Sequence, residues 1–253
     1  MSRFKRLELP DEESAQNELT LQGNLKSDWA RQADDARRAG LYESALRLYS
    51  RCLEADKSLV TAWCGQVQML IFLEEYPEAE LWSKKAIELF PGSGDLVASH
   101  AHSLSRQNKR ADAMGAIDKA LAMTGESAYR WTVRGEILTA RRSNLASDCF
   151  DKARLADPDW LTSAEIGLIL LHYSQTSRAL MSLRIAIENG PDAPYAWYLK
   201  GLAEQRLGMT GKARESFQTT LELNPQHSDS LSRLRELDRG EGKLWNRLRR
   251  LWS

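Results

Sequence analysis

A period of about 34 residues constrains the fold of this chain more than any other feature of its sequence. Trp63 follows Trp29 by 34 residues, and Trp131 follows two such intervals later. Small residues keep this spacing to within one residue; they are Ala45, Ala79, Ala113, Ala146, Ala179 and Ala213. Self-similarity at a fixed period of this length is typical of stacked supersecondary units, so we expect a helical solenoid.

Composition and charge narrow the range of partners. The 253 residues are 42% hydrophobic and 28% charged, which is ordinary for a globular protein. Lys plus Arg equals Asp plus Glu at 35 each, so the chain has no excess positive charge for the phosphates of a nucleic acid. Nucleic acid is therefore not an expected partner.

The cysteines and the hydrophobic pattern indicate the compartment. Cys52, Cys64 and Cys149 are an odd number without a Cys-x-x-Cys spacing, which favours reduced thiols over disulfides or metal ligands. The first residues lack the apolar core of a secretion signal, and no stretch has the length of a membrane span. We therefore expect a cytoplasmic protein.

Aligning the chain on its own period divides it into six units. In the first half of each unit a large residue is typically followed four positions later by a small one, as in Trp197 and Gly201. Residues four apart share a helix face, so the small residue leaves room for a partner helix. A second helix then carries a buried stripe at i, i+4 and i+7. The predicted units are residues 26–59, 60–93, 94–127, 128–159, 160–193 and 194–227.

The two end segments are predicted to differ from the units. We expect residues 1–25 to be partly disordered or to form a short helix. Residues 228–238 are predicted to form a helix that caps the last unit through leucines at triplet spacing, namely Leu231, Leu234 and Leu237. Residues 239–253 are predicted to be a basic amphipathic tail that follows a flexible glycine hinge.

The pattern resembles the tetratricopeptide repeat family, whose signature is W-x2-L-G-x2-Y…A-x3-F…P. The best match lies in the last unit, at Trp197, Gly201, Ala213, Phe217 and Pro225. The second unit also matches, at Trp63, Ala79 and Pro91. The resemblance implies an all-α, right-handed α-solenoid of six helix hairpins plus the capping helix. It also implies that each hairpin contacts only its neighbours and that the stack leaves an open, curved trough.

The resemblance further implies where a partner binds. In this family the first helices line a concave groove in which peptides lie, so we expect a peptide or helix of another protein there. The corresponding residues are Asp34, Arg37, Gln68, Ile71, His102, Thr132, Glu136, Leu168, Leu171, Tyr198 and Leu202. Their character shifts from charged to apolar along the chain, so an apolar segment would gain most in the C-terminal half. For any single residue, packing against a neighbouring first helix is an equally good interpretation.

Some co-chaperones of the family grip the C-terminal carboxylate of Hsp70 or Hsp90 with basic and amide side chains from three successive first helices. The corresponding positions here hold Ala30, Asp34, Gly65, Asp95 and Ser99. Asp34 and Asp95 would repel a carboxylate. We therefore expect no carboxylate clamp and no binding of these chaperone tails.

No set of residues has the spacing of a catalytic or metal site. The glycines near Lys212 and Lys243 lack the spacing of a phosphate-binding loop, and His100 and His102 point in different directions on a helix. We therefore expect a non-enzymatic protein without a cofactor or metal, which serves as an adaptor, scaffold or assembly factor.

The C-terminal tail is the segment that the repeats explain least. Its apolar residues fall on one helix face: Leu244, Trp245, Leu248, Leu251 and Trp252. Arginines occupy other positions: Arg247, Arg249 and Arg250. Three roles are open for this tail, namely folding back on the repeats, docking on a partner or a second copy, and weak attachment to an anionic membrane surface. The last role makes a peripheral membrane protein the alternative function.

Overall fold

The computed structural model describes residues 28–251, and the side chains of residues 28–239; between turns, this part of the chain is helical throughout and contains no strand. The helices are α1 (residues 28–38), α2 (Tyr42–Ala55), α3 (Val60–Phe72), α4 (Tyr76–Leu89), α5 (Gly94–Arg106), α6 (Arg110–Ala122), α7 (Ala128–Ala140), α8 (Ala146–Ala156), α9 (Trp160–His172), α10 (Thr176–Asn189), α11 (Pro194–Arg206), α12 (Thr210–Leu223) and α13 (Ser228–Leu251). The first twelve pair into six hairpins, each made of a first and a second helix.

Neighbouring hairpins stack in chain order. From α3 onwards each first helix contacts both its own second helix and the first helix of the next unit. The helix α13 packs against α12, in the place that the first helix of a seventh unit would take. The first helices from the second unit onwards begin at residues 60, 94, 128, 160 and 194, where the sequence period places the unit starts. The predicted all-α solenoid is confirmed.

Glycine permits the close approach of the two helices in a hairpin. A Cβ atom added at Gly135 would lie 2.4 Å from the ring of Phe150, and one added at Gly201 would lie 2.5 Å from the ring of Phe217. Both phenylalanines are buried. The aromatic ring of the second helix therefore fills the space that the small residue of the first helix leaves.

The turn between the two helices of every unit contains one residue with a left-handed backbone. These residues recur at one position of the period; they are Gly40, Glu74, Asn108, Arg142, Ser174 and Gly208, with φ from 55° to 74°. Residues other than glycine rarely adopt a backbone conformation with positive φ. Asparagine adopts it more readily than most, so in three of the six turns, at Glu74, Arg142 and Ser174, the packing of the flanking helices imposes a conformation that the local sequence does not favour.

The last helix differs from the prediction of a glycine hinge. The helix α13 passes through both Gly240 and Gly242 without interruption. Glycine inside a helix costs only about 1 kcal/mol relative to alanine, and the flanking residues are good helix formers. Near the start of α13, Leu234 and Leu237 pack with Phe217 of the sixth unit. The predicted cap and tail thus belong to one continuous helix.

Contacts also join the two ends of the solenoid. The first hairpin bonds to residues of α9 and α11, or next to them, that lie 121 to 153 positions later in the chain. The pairs are Arg37 with Glu165, Arg38 with Asp159, and Tyr42 with Tyr195; we call these six residues the clasp. A solenoid turns by a small angle at each repeat, and these rotations accumulate until its ends meet. The expectation of contacts between adjacent hairpins alone is therefore wrong.

We predict opposite effects for one substitution at two glycines. Gly201→Ala should destabilise the chain by about 1 to 2 kcal/mol, because overlap with the ring of Phe217 outweighs the gain in helix propensity. Gly115→Ala, in α6 with open space around it, should stabilise the chain by up to about 1 kcal/mol. Urea unfolding of both variants measures these effects, and stabilisation by Gly201→Ala would contradict the described packing.

Candidate functional site

The eleven predicted groove residues separate by their exposure to solvent. Six are buried by the chain itself: Gln68, Ile71, His102, Thr132, Glu136 and Leu171. Four are half-buried, namely Arg37, Leu168, Tyr198 and Leu202. Only Asp34 of this set is exposed. Packing against neighbouring helices covers most of the eleven side chains, and their role in binding a partner stays a prediction.

Glu136 illustrates why these residues are covered. Its side chain is fully buried, with Oε2 2.7 Å from His102 Nε2 and Oε1 2.5 Å from Arg106 Nε. Tyr173 donates a hydrogen bond of 3.1 Å to Oε1. Burial alone would raise the pKa of Glu136, but Arg106 and His102 outweigh this effect and lower the pKa to about 2. Glu136 therefore ties the third, fourth and fifth units together.

Two ion pairs form the polar part of the clasp. Arg37 donates to Glu165 Oε1 from Nε at 2.9 Å and from Nη2 at 2.6 Å. Arg38 Nη2 lies 3.1 and 3.0 Å from the two carboxylate oxygens of Asp159, and its guanidinium lies 5.0 Å from the ring centre of Trp160. Burial alone would lower the pKa of Arg37, but Glu165 outweighs this effect and raises the pKa, so Arg37 stays charged.

Tyr42 covers the apolar half of the concave face. Its ring stacks on Phe72 with 4.8 Å between ring centres, and its hydroxyl lies 2.6 Å from the hydroxyl of Tyr195. A cavity of about 210 Å³ remains beside Tyr42, and its apolar lining includes Ile71, Leu168, Leu171 and Leu202. Side chains of the first two units therefore cover part of the surface on which we expected an apolar segment, and binding of such a segment there stays a prediction.

The concave face remains open at its N-terminal end. A cavity of about 410 Å³ lies there, and its walls come mostly from α1, α3 and the start of α5, with Tyr49 of α2 and Leu59 between them. We call it the N-terminal groove and define it by Asp34, Arg37, Cys64, Gly65, Gln68 and Asp95. Of the predicted groove residues, only Asp34, Arg37 and Gln68 lie in it.

The cations around the N-terminal groove are already engaged. Glu165 holds Arg37, and Arg130 donates from Nε to Asp95 Oδ1 at 2.7 Å. Another nitrogen of Arg130 donates to backbone carbonyls at the end of α6 and just beyond it. The carboxylate of Asp34 forms no hydrogen bond or ion pair with any side chain of residues 28–239. Three carboxylates therefore face two guanidinium groups, which leaves the groove with excess negative charge.

Cys64 lies in the N-terminal groove without the properties of a nucleophile. Burial, together with the charge of Asp95, raises the pKa of its thiol to about 12. The thiol is therefore protonated at neutral pH. Cys52 and Cys149 are free thiols as well, and burial raises the pKa of each.

The predicted tail contacts lie at the limit of the described chain. Seven of the eight residues belong to the helical backbone of α13: Leu244, Trp245, Arg247, Leu248, Arg249, Arg250 and Leu251. Their side chains, and the whole of Trp252, lie outside the described residues. Their contact with a partner or a membrane surface stays a prediction.

In residues 28–239, whose side chains are described, there is no group of three or more His, Cys, Asp or Glu side chains placed to hold a metal ion. Over the helical backbone of residues 28–251, no helix combines the length and the apolar character that crossing a bilayer requires.

Models of known protein families agree with the observed fold. Models of the tetratricopeptide repeat match residues 31–94, in the first two units, and residues 194–227, which form the sixth unit. The chain is a tetratricopeptide repeat protein. The matched parts include α1 and α3, which supply most of the N-terminal groove.

Among curated proteins, this tetratricopeptide repeat protein is similar to a TPR repeat-containing protein of Methanocaldococcus jannaschii, with 24% identity over 218 residues. The match covers 80% of this chain and 38% of that protein, so the chain spans well under half of the relative's length.

Two solved structures share the fold. One is a TPR protein of Thermus thermophilus, with 17% identity, a TM-score of 0.50 and coverage of 84% of this chain and 98% of that chain. The other is a tetratricopeptide repeat protein of Parabacteroides merdae, with 14% identity, a TM-score of 0.52 and coverage of 84% of each chain. Their likeness to the tetratricopeptide repeat protein described here concerns the fold alone.

Sequence reasoning missed the clasp and the partners of Glu136. The clasp joins residues more than 120 positions apart, and a period of 34 residues carries no information about such pairs. The one signal in the sequence for these ion pairs was complementary charge, since Arg37 and Arg38 are adjacent and acidic residues lie at positions 159 and 165. Many other pairs in this chain, which has 35 acidic and 35 basic residues, match equally well.

We predict that reversing one charge of the clasp weakens the fold and that reversing both restores it. Arg37→Glu sets two carboxylates against each other where both side chains are largely buried, and should lower the free energy of unfolding by about 2 to 4 kcal/mol. Adding Glu165→Arg should recover at least about half of this loss. The control Arg31→Glu alters an exposed pair within α1 and should cost less than about 1 kcal/mol. Urea unfolding measures the stability of each variant. A double variant Arg37→Glu/Glu165→Arg that is no more stable than Arg37→Glu alone would contradict the clasp.

We predict that Glu136 stabilises the fold in a pH-dependent way. Glu136→Gln should cost about 3 to 5 kcal/mol at neutral pH, because Arg106 then stays buried without its counter-charge. The pKa of Glu136 falls from its ordinary 4.5 to about 2 on folding, so its contribution is complete above about pH 4.5 and is lost as the pH falls towards 2.

The measurement is urea unfolding of both proteins between pH 7 and pH 2.5. The stability difference between the natural chain and Glu136→Gln should narrow below pH 4.5. A difference that stays constant down to pH 2.5 would contradict a buried, ionised Glu136. Glu88→Gln, which alters an exposed carboxyl group on α4, serves as the control and should change stability little at any pH.

Proposed function

We propose that this protein is a non-enzymatic interaction module of the cytoplasm, an adaptor or assembly factor, and that its N-terminal groove holds a segment of the partner protein. One observation carries the proposal: of the two cavities on the concave face, the N-terminal groove is the larger, at about 410 Å³ against about 210 Å³ beside Tyr42. Solenoid repeats commonly bind their partners on the concave surface that stacking creates.

The shape of the groove favours an extended segment over a compact ligand. Most of its lining comes from three successive first helices, α1, α3 and α5, so a ligand reaches all of them only by lying across the units. Ala30 and Ala62 contribute small side chains to this lining, which leaves room for a bound backbone to approach the helices. An extended segment makes many such contacts along its length.

The clasp gives the groove a fixed shape before any partner arrives. Arg37 belongs to both, because its guanidinium lines the groove while Glu165 of the fifth unit holds it at 2.6 Å. A wall held by a largely buried ion pair loses little further freedom on binding. Little of the free energy gained from contacts with the partner is therefore offset by the entropy cost of ordering the groove.

We predict that filling the groove abolishes partner binding. Ala30→Trp places a large ring in the N-terminal groove, whereas Ala111→Trp adds the same ring to an exposed position of α6. Affinity capture from the source cell should yield proteins that the natural chain and Ala111→Trp retain and Ala30→Trp loses. Titration of such a purified partner should give at least about tenfold weaker binding to Ala30→Trp.

The circular dichroism spectrum and the unfolding midpoint of both variants must match the natural chain for the comparison to hold. Capture of the same partners by all three proteins, with affinities within about twofold, would refute the N-terminal groove as the binding site.

A further inference from the structure

We propose that the partner segment presents a lysine or arginine side chain to the N-terminal groove, where Asp34, Gln68 and Asp95 receive it. This inference rests on the proposed function and adds the chemistry of the partner. Three acceptor groups from three successive first helices line one cavity of about 410 Å³. A cationic side chain carries only donors, which is the complement of such a site.

Gln68 supplies the first observation. Its side chain is only 6% exposed, and its Oε1 atom is buried without a hydrogen-bond donor. Buried polar atoms of folded proteins nearly always have a partner, so this acceptor in the wall of a cavity stays without one unless the side-chain amide turns its oxygen towards a donor in the cavity. The N–H groups of a cationic side chain are such donors.

The charge of the groove supplies the second observation. Asp34 is exposed, and its carboxylate forms no hydrogen bond or ion pair within residues 28–239; it interacts with the charge of Arg37, whose hydrogen bonds go to Glu165. At Asp95, Arg130 and Ser127 both bond to Oδ1, each at 2.7 Å, and no hydrogen bond within the described chain reaches Oδ2. Both carboxylates therefore keep acceptor capacity, and the groove attracts a cation.

The neighbouring cations do not fill this role. Arg37 also lines the groove, but Glu165 holds its Nε and Nη2. Arg130 is 6% exposed, and Asp95 and the backbone carbonyls beyond α6 engage its guanidinium. Neither group can turn to Asp34 or Gln68 without giving up bonds that hold the fold. Within residues 28–239 no other cation lines the groove, so we expect the partner to supply the positive charge.

A guanidinium fits this arrangement better than a point charge does. It carries five N–H donors in one plane and can bond to an amide oxygen and a carboxylate at the same time. Asp34 and Gln68 lie on adjacent first helices, and both face the cavity. We therefore expect arginine to bind more tightly than lysine, and both to bind more tightly than a neutral side chain.

The test uses three heptapeptides that differ only in two residues: acetyl-Ala-Ser-Arg-Ala-Arg-Ser-Ala-amide and its counterparts with Gln or Glu in place of both Arg. Each is titrated into the full chain while nitrogen–proton NMR spectra follow the side-chain amide of Gln68 and the backbone of α1 and α3. We expect the Arg peptide to shift these signals with at least about tenfold higher affinity than the Gln peptide, and the Glu peptide to leave them unchanged.

Three variants assign the effect to named residues. Asp34→Asn should weaken the Arg peptide by about threefold to tenfold. Gln68→Leu, which keeps the volume of the side chain and removes the acceptor, should weaken it by about tenfold. Asp35→Asn makes the same charge change one residue further along α1, outside the groove, and should alter the affinity by less than about twofold.

Equal binding of the Arg and Gln peptides would overturn this inference and leave the proposed function standing. Equal weakening by Asp34→Asn and Asp35→Asn would overturn it too. The affinity for the Arg peptide would then depend on the net charge of the chain and not on the position of a carboxylate in the groove. If no peptide shifts the groove signals, recognition of a cation there is refuted, while Ala30→Trp still decides separately whether the groove binds a partner.

Discussion

The contact of Tyr42 with Phe72 and Tyr195 determines which part of the concave face a partner can reach. Burial removes the rings from water, and the two tyrosine hydroxyls satisfy each other at 2.6 Å. Burial also raises the pKa of both hydroxyls, so both stay neutral. The apolar interior of the later units is thereby covered from within. A polar groove at the N-terminal end and a smaller cavity beside Tyr42 remain open.

Buried carboxylates in the interior of the solenoid lie next to side chains of opposite charge. Glu136 lies against Arg106 and His102, and Glu204 accepts a 2.6 Å hydrogen bond from Ser216 while Lys200 lies 2.9 Å away. Glu136 thereby holds adjacent units in register and Glu204 holds the two helices of the sixth unit together, since any shift would leave a buried charge alone. Asp34 departs from this rule because it lines a cavity without a hydrogen bond or ion pair in residues 28–239. The contrast distinguishes a group that holds the fold from one that can meet a partner.

Contacts within a hairpin can be predicted from this sequence, whereas the curvature of the solenoid largely cannot. Period and small-residue spacing predict the hairpins, because Gly201 admits Phe217 through a contact within one unit. They cannot predict that Arg37 meets Glu165, because that contact depends on rotations accumulated over four units. The same curvature buries Leu171, which the period places on the concave face. At α13 the error was local, since two glycines cost too little to break a helix of good formers.

Closure of the solenoid is the central claim, and the distance between its two ends tests it most directly. Asp35 and Asp192 line one cavity at the seam between the first hairpin and the later units, so both can be replaced by cysteine and spin-labelled after the three native cysteines are changed to alanine. Pulsed electron resonance should then give one narrow distance distribution, short enough for the labels to share that cavity. A broad distribution at long distance would mean that the ends stand apart, and the division of the concave face by the clasp would be contradicted.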